Sequence, residues 1–419
     1  MKLDFPNVGE TLHHHVLDNG LSVYLLKKTG YEKTYATFTT KYGSIDRRFK
    51  LDDWVEVPDG IAHFLEHKMF EKEDGDVFQQ FGRQGASANA FTSFTRTAYL
   101  FGATSNVREN VKTLLDFVQY PYFTKESVEK EKGIIGQEIQ MYQDNPGWRL
   151  YFGLIDAMYV QHPVKIDIAG TIESISAITA EDLYLCHRAF YHPSNMALFV
   201  VGNIEPEEML DLIRDNQSAK SFEDPLLSAR ETVEEPTSVR LSERVIEMDV
   251  SVPKVMIGYK DTPLAGEDGL KQELTVELLM HALFDTTAPL YTELYAEGLI
   301  DDAFSFDYTS EESFAFAALS METPHVDAFV SRITAALEKP LHLDEATLER
   351  KKRMMQGQFL KALNSPEFIA NQFSRYALND SNLFDIPALL ETITLDALHE
   401  AYSRLFRQDQ RTVCIVKKP

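Results

Sequence analysis

The sequence runs through one pattern twice, and that duplication limits what the chain can build more than any local motif does. Ile178-Thr179-Ala180-Glu181-Asp182-Leu183 opens a helical pattern that leads to the apolar run Leu198-Phe199-Val200-Val201. Ile393-Thr394-Leu395-Asp396-Ala397-Leu398 does the same 215 residues later and arrives at Val413-Cys414-Ile415-Val416. The spacing holds without a gap for Leu183/Leu398, Phe190/Leu405 and Leu198/Val413. A second pair, Tyr120-Pro121-Tyr122-Phe123 and Lys339-Pro340-Leu341-His342, recurs at an offset of 219, and a helical pattern follows each. Two matches in one order at nearly one spacing point to two related halves rather than to a shared strand–helix grammar. Between them, residues 215–240 are polar and acidic, carry Pro225 and Pro236, and show little periodicity, so they read as a linker. The expected division is a first domain over 1–214, the linker 215–240, and a homologous second domain over 241–419.

Each half is long enough to bury a core of its own. The first half reads as strands over Gly20–Lys28 and Thr34–Tyr42, helices over 60–71 and 105–119, and a hairpin over 87–103. Helices over 124–143 and 179–190 and a strand over 196–202 follow. Strands and helices mixed in this order predict an α+β class, each half a mainly antiparallel sheet with helices packed on one face. No apolar run approaches the ~18 residues of a membrane span. The 65 acidic and 41 basic residues give a net charge of −24, the wrong sign for a protein that grips phosphate backbones, so nucleic acid is not an expected partner. Only two cysteines, Cys186 and Cys414, and the lack of a basic start followed by an apolar stretch predict a cytoplasmic location.

Within the predicted helix 60–71, His63-Phe64-Leu65-Glu66-His67 is the most informative pentad. At about 100° per residue, Ile61, Phe64, Leu65 and Met69 share one arc, and His63, Glu66 and His67 share the opposite one. Histidines four apart stack one turn above the other, so both imidazoles can reach a single metal ion. Glu66 stands beside them, placed to accept a proton from a metal-bound water. Lys68 falls on the apolar arc and is expected to snorkel or to be exposed.

Two histidines need a third protein ligand. The helical segment from Thr124 offers Glu131 and Glu138, seven apart and therefore about 20° from each other around the axis. They stand about 10 Å apart along it, too far for both to bind one ion, so one ligates and the other supports. Val128, Ile135 and Ile139 form the adjoining packing stripe. Gly133 and Gly136 weaken the helix and suggest that another backbone passes close by.

His63-x-x-Glu66-His67 followed by Glu131-x6-Glu138 resembles the insulinase/pitrilysin family of zinc peptidases, whose histidine motif is the inverted form of the common metallopeptidase one. The duplication and the segments Asn89-Ala90-Phe91-Thr92 and Thr97-x-Tyr99 match the family pattern in order, so the resemblance spans the chain. It is nearest in build to bacterial single-module, processing-peptidase-like members and implies the metallohydrolase fold of the mitochondrial processing peptidases. It further implies one Zn2+ per chain held by His63, His67 and Glu138, with Glu66 as general base and Glu131 as the supporting second carboxylate. The implied activity is endopeptidase cleavage of short or unfolded peptides. The hairpin edge with Ser87, Ala88, Asn89, Ala90 and Phe91 would take the peptide as an added strand. The competing implication is a non-catalytic assembly subunit that keeps the fold, since the family contains such members.

The second copy carries no such set. At the 219 offset Gly357 stands in the place of Glu138, and the helical segment around Glu273–Phe284 has a lone His281, read as packed. Family members carry an arginine and a tyrosine here, near a segment like Leu-Arg-Glu-x-x-Gly-Leu-x-Tyr, to help bind substrate. This chain has Leu294-Tyr295-Ala296-Glu297-Gly298-Leu299-Ile300-Asp301, with Tyr295 in place of the arginine and no tyrosine after it. The resemblance therefore implies a two-chain clamp, either a homodimer or a heterodimer with a related chain that supplies the missing pair. His13-His14-His15 reads as a solvated run, and His162-Pro163 and His192-Pro193 as structural turns.

Overall fold

The computed structural model describes residues 1–419. The first half supplies the strands β1 (Lys2–Phe5), β2 (Glu10–Val16), β3 (Ser22–Lys27), β4 (Thr34–Thr40), β5 (Ala86–Thr92), β6 (Thr97–Ala103) and β7 (Met196–Gly202). They form one seven-stranded sheet in the order β1-β2-β3-β7-β4-β6-β5. The continuous apolar run of β7 puts it in the interior of this sheet, and every one of its residues is buried. The second half supplies β8 (Glu243–Glu247), β9 (Lys254–Asp261), β10 (Ser305–Ser310), β11 (Ala315–Glu322) and β12 (Arg411–Lys417), in the order β8-β12-β9-β11-β10.

The duplication is visible as topology. Without β1 and β2 the two sheets have the same strand order, and each has its one parallel pair at the same place, β3 with β7 and β8 with β12. All other neighbours are antiparallel. Leu198 stands opposite Phe38 where Val413 stands opposite Ile257, which fixes the 215-residue correspondence in register.

The helices that matter for the site and the cores are α1 (Ile61–Met69), α2 (Val107–Gln119), α3 (Lys125–Gln143), α4 (Pro146–Met158) and α5 (Ala180–Phe190) in the first half. The second half has α6 (Gly266–Phe284), α7 (Pro289–Ala296), α8 (Val326–Leu337), α9 (Glu345–Ala362), α10 (Pro366–Ala377) and α11 (Leu395–Leu405). The offset between α3 and α9 is 220 rather than 219. Thr124 accepts from the Ser127 amide where Asp344 accepts from the Thr347 amide, so the two helix starts superpose only at that spacing. The buried positions Val128, Glu131, Ile135 and Ile139 then match Leu348, Lys351, Met355 and Phe359. Gln358, not Gly357, therefore occupies the place of Glu138, and Lys351 reverses the charge of Glu131.

The chain packs as two compact units that are not contiguous in sequence. One comprises Met1–Ile139, Ile166–Thr232 and Leu360–Phe384; the other comprises Gln140–Lys165, Val233–Phe359 and Asp385–Pro419. The segment with α4 thus belongs to the unit of the second half, and the segment with α10, its counterpart in the repeat, belongs to the unit of the first. In the first unit, α2 covers one face of the sheet, where Phe117 packs edge-on to Tyr99 at 5.6 Å. The other face is covered by α10: Phe373 lies 4.7 Å from Phe199 and 4.9 Å from Tyr24, and the Ser374 and Thr37 hydroxyls meet at 2.9 Å. In the second unit, α4 approaches so closely that a Cβ on Gly153 would lie 2.7 Å from Ile246 and 2.8 Å from Cys414. On the opposite face Phe406 packs edge-on to Tyr259 at 5.0 Å.

The polar stretch 215–240 begins inside the helix Pro206–Ser218, and its middle is tied to the first unit. Ala229 and Arg230 pair with Lys50 and Phe49 as a short strand, and the Arg230 Nε donates to the buried Asp46 carboxylate at 2.9 Å. Cys186 and Cys414 are both buried and unpaired. No helix is long and apolar enough to cross a membrane.

Candidate active site

The site is built on α1, whose start is set by Gly60. This residue has φ +89°, a left-handed value that favours glycine, and a Cβ there would lie 2.5 Å from the Ala169 carbonyl oxygen. From that point Ile61, Phe64, Leu65 and Met69 are buried as the amphipathic pattern requires. Lys68 departs from expectation. It neither snorkels nor reaches solvent: its side chain is wholly buried, with the ammonium paired to Glu71. That partner three residues on lets a cation remain on the apolar arc.

The opposite arc faces α3. The Nε2 atoms of His63 and His67 lie 3.8 and 3.4 Å from the two carboxylate oxygens of Glu138. One donor atom from each of these three residues falls within 4.8 Å of the others. His67 turns its other nitrogen to Glu131, with Nδ1 and Oε1 3.1 Å apart. So two glutamates seven apart on one helix face take different places: Glu138 stands across the space in front of both Nε2 atoms, and Glu131 stands behind His67. Gly133 and Gly136 lie against nothing, since no atom is within 4 Å of a Cβ added at either. The expected neighbouring backbone is absent, and the two glycines face open space.

The protonation pattern follows from burial and pairing. Burial pushes the His63 imidazole down to about 4, with the His67 charge adding to it, so His63 is neutral and offers a lone pair at ordinary pH. Burial also acts to lower His67, but the hydrogen bond to Glu131 and the surrounding carboxylates outweigh it and raise that group. For Glu131, burial works upward, and the bond and charge of His67 overcome it, holding the carboxyl below its usual value. Glu66 is raised by burial, with the Thr92 hydrogen bond opposing. Two imidazoles and one carboxylate with donor atoms within 4.8 Å of one another match the donor set of catalytic zinc sites, and these residues fit such an ion.

The hairpin strand β5 is the last strand of its sheet, paired to β6 on one side only, with Tyr99 opposite Ala90 and Leu100 opposite Asn89. Ser87 and Asn89 are exposed, and Ala88, Ala90 and Phe91 are half-buried. The Arg96 guanidinium lies over the Phe91 ring at 5.6 Å. With side chains alternating along a strand, Ala86, Ala88, Ala90 and Thr92 share one face, and Ser87, Asn89 and Phe91 share the other. The Thr92 hydroxyl donates to Glu66 Oε2 at 2.6 Å. Thr92 is the functional candidate that sequence reasoning left without a role. The signal was present: three alanines at period two, followed by one hydroxyl on the same face.

His14, His162, His192 and His281 take structural places. His14 does not sit in a solvated run; it lies on β2, stacked at 4.3 Å on Tyr24. His162 accepts from the Val164 amide, His192 accepts from the Ser194 amide, and His281 packs edge-on against Phe306 at 5.2 Å.

Two α+β units of this topology are the fold of M16-like peptidases. Residues 55–172 match the family described as Insulinase (Peptidase family M16), and residues 177–355 match the Peptidase M16 inactive domain. The chain belongs to the insulinase family, peptidase family M16. It is 54% identical to the uncharacterized zinc protease YmfH of Bacillus subtilis over 99% of its own length and 98% of that protein's. An M16-like peptidase of Alicyclobacillus acidocaldarius, 39% identical, superposes with a TM-score of 0.95 over the whole of both chains. A Helicobacter pylori protease, 22% identical, shares the fold with a TM-score of 0.84 over 97% of this chain and 99% of its own.

Proposed function

We propose that this chain is a zinc-dependent endopeptidase of short or unfolded peptides, with His63, His67 and Glu138 holding one zinc ion and Glu66 serving as general base. The observation that carries the reading is the convergence of the two Nε2 atoms and the Glu138 carboxylate within 4.8 Å of one another, beside the half-buried Glu66. The names of its relatives, zinc proteases and M16-like peptidases, agree with it. Zinc supplies Lewis-acid polarisation of a carbonyl and activation of water at neutral pH.

The residues divide the remaining work. Glu131 holds His67 by its Nδ1 hydrogen and so turns Nε2 toward Glu138. The raised carboxyl of Glu66 suits a group that takes a proton from the attacking water and returns it to the leaving amine. The free edge of β5 takes the substrate as an added strand, so backbone hydrogen bonds set its register and side chains choose it only weakly. Tyr295 stands where family members have the substrate-binding arginine, and this supports a clamp completed by another chain.

The test is Glu66→Gln. The variant should keep one zinc per chain, measured by elemental analysis, and lose peptide hydrolysis by a factor of about 10²–10⁴. Near-normal turnover with stoichiometric metal would overturn the assignment. Assaying the native chain alone tests the clamp, which full activity without a partner would contradict.

A further inference from the structure

We propose that Thr92 is the positioning residue of the general base, fixing the rotamer of Glu66 from the strand that takes the substrate; this rests on the reading of Glu66 above. The geometry leaves the Thr92 proton one good acceptor. Thr97, across the hairpin, donates its own hydroxyl proton to the Tyr42 carbonyl at 2.9 Å. Its oxygen lies 3.4 Å from Thr92 Oγ1, whereas Glu66 Oε2 lies at 2.6 Å, a short hydrogen bond of the charge-assisted kind. Behind Thr97 the buried hydroxyls of Tyr99 and Tyr191 meet at 2.8 Å and pair with each other.

Two consequences follow. With Oε2 engaged by Thr92, Oε1 is the oxygen of Glu66 left to exchange a proton with water and then with the leaving amine. And because Thr92 is a residue of β5, the base is tied to the same backbone whose free edge registers the peptide. A carboxylate with several rotatable bonds is thereby held relative to the scissile bond, where a displacement of about 1 Å costs roughly 10²-fold in rate. The alternative is that Thr92 is there only as a β-branched residue that suits a strand. Valine, of the same shape, separates the two.

The experiment uses the full-length, zinc-loaded chain and its Thr92→Val and Thr92→Ser variants. Crystal structures of each give the position of Glu66, and an internally quenched peptide gives kcat and KM. Thr92→Val should retain one zinc, move the Glu66 carboxylate off its native position and lower kcat about 10²-fold with little change in KM. Thr92→Ser should restore both the position and most of kcat. Thr92→Val with Glu66 unmoved and native kcat overturns the inference, as does a Thr92→Ser variant that is as impaired as the valine one. If native and Glu66→Gln chains turn over equally, it is the assignment of the base that fails; the Glu66 position in Thr92→Val then still decides whether Thr92 holds it.

Discussion

Phe373 lies on Phe199 with ring centroids 4.7 Å apart, and the same relationship recurs in the second unit between Gly153 and Cys414. The 220-residue correspondence of the lent helices and the 215-residue correspondence of the central strands map one pair onto the other. One interface thus exists in two versions: two rings in the first unit, and a glycine against a thiol in the second. In the second version the helix backbone comes close enough to the sheet that no side chain fits between them. The duplicated sequence kept the packing relationship and changed how the space is filled.

Phe373→Ala should leave a cavity under the first sheet, because the ring is buried between Tyr24, Phe199 and Phe384. The expected cost is about 3–5 kcal/mol, read from urea unfolding of the full chain. A loss below about 1 kcal/mol would mean that α10 contributes little to that unit.

Glu131→Gln should weaken zinc binding by about 10–100-fold while leaving all three ligands in place. On the proposed assignment, Glu131 accepts the His67 Nδ1 hydrogen and so holds the tautomer whose Nε2 faces Glu138. Competition against a chromophoric chelator measures this, and an unchanged affinity would remove Glu131 from the metal's support.

Acid should destabilise the fold through two histidines away from the site. Burial pushes His187 and His162 down to about 4 from an ordinary value of 6.5. A group whose pKa is lower in the folded than in the unfolded chain binds fewer protons when folded. Its stabilising contribution is therefore complete above pH 6.5 and is lost as the pH falls toward 4, by up to about 1.4 kcal/mol per pH unit for each group. Urea unfolding at pH 7.5 and pH 5 should show this loss. In His187→Gln, whose amide can still donate to the Val118 carbonyl that His187 Nε2 meets at 3.0 Å, the loss should be smaller. An equal loss in that variant would count against His187.

The site helix was legible because its chemistry is local: His63, Glu66 and His67 lie within five residues, and helical geometry alone puts them on one arc. The separate places of Glu131 and Glu138 followed from their spacing, since one ion cannot reach both. The hairpin and the duplicated strands were equally readable from alternation and apolar runs. What sequence could not convey was partnership. The patterns of α4 and α10 announce helices with one apolar face, but amphipathicity does not say which sheet that face will cover. The same limit explains Lys68, whose burial depends on Glu71 turning toward it. It explains Gly133 and Gly136 as well, where low helix propensity looked like a close approach and is open space. The one-residue slip between offsets of 219 and 220 was concealed by matching Pro121 with Pro340. The capping residues Thr124 and Asp344 give the true alignment.

The lent helices also set a timetable for synthesis. When a ribosome has delivered Thr232, every strand of the first sheet exists, yet the face bearing Tyr24, Thr37 and Phe199 has no cover until α10 emerges with Phe373. At about 5–20 residues per second that interval lasts roughly 7–28 s, during which a broad apolar surface stands open to chaperones or to a neighbouring nascent chain. The same arithmetic warns against dividing the protein at its linker. Each piece would carry away the helix that completes the other, and the two pieces would be expected to recover their folds only together.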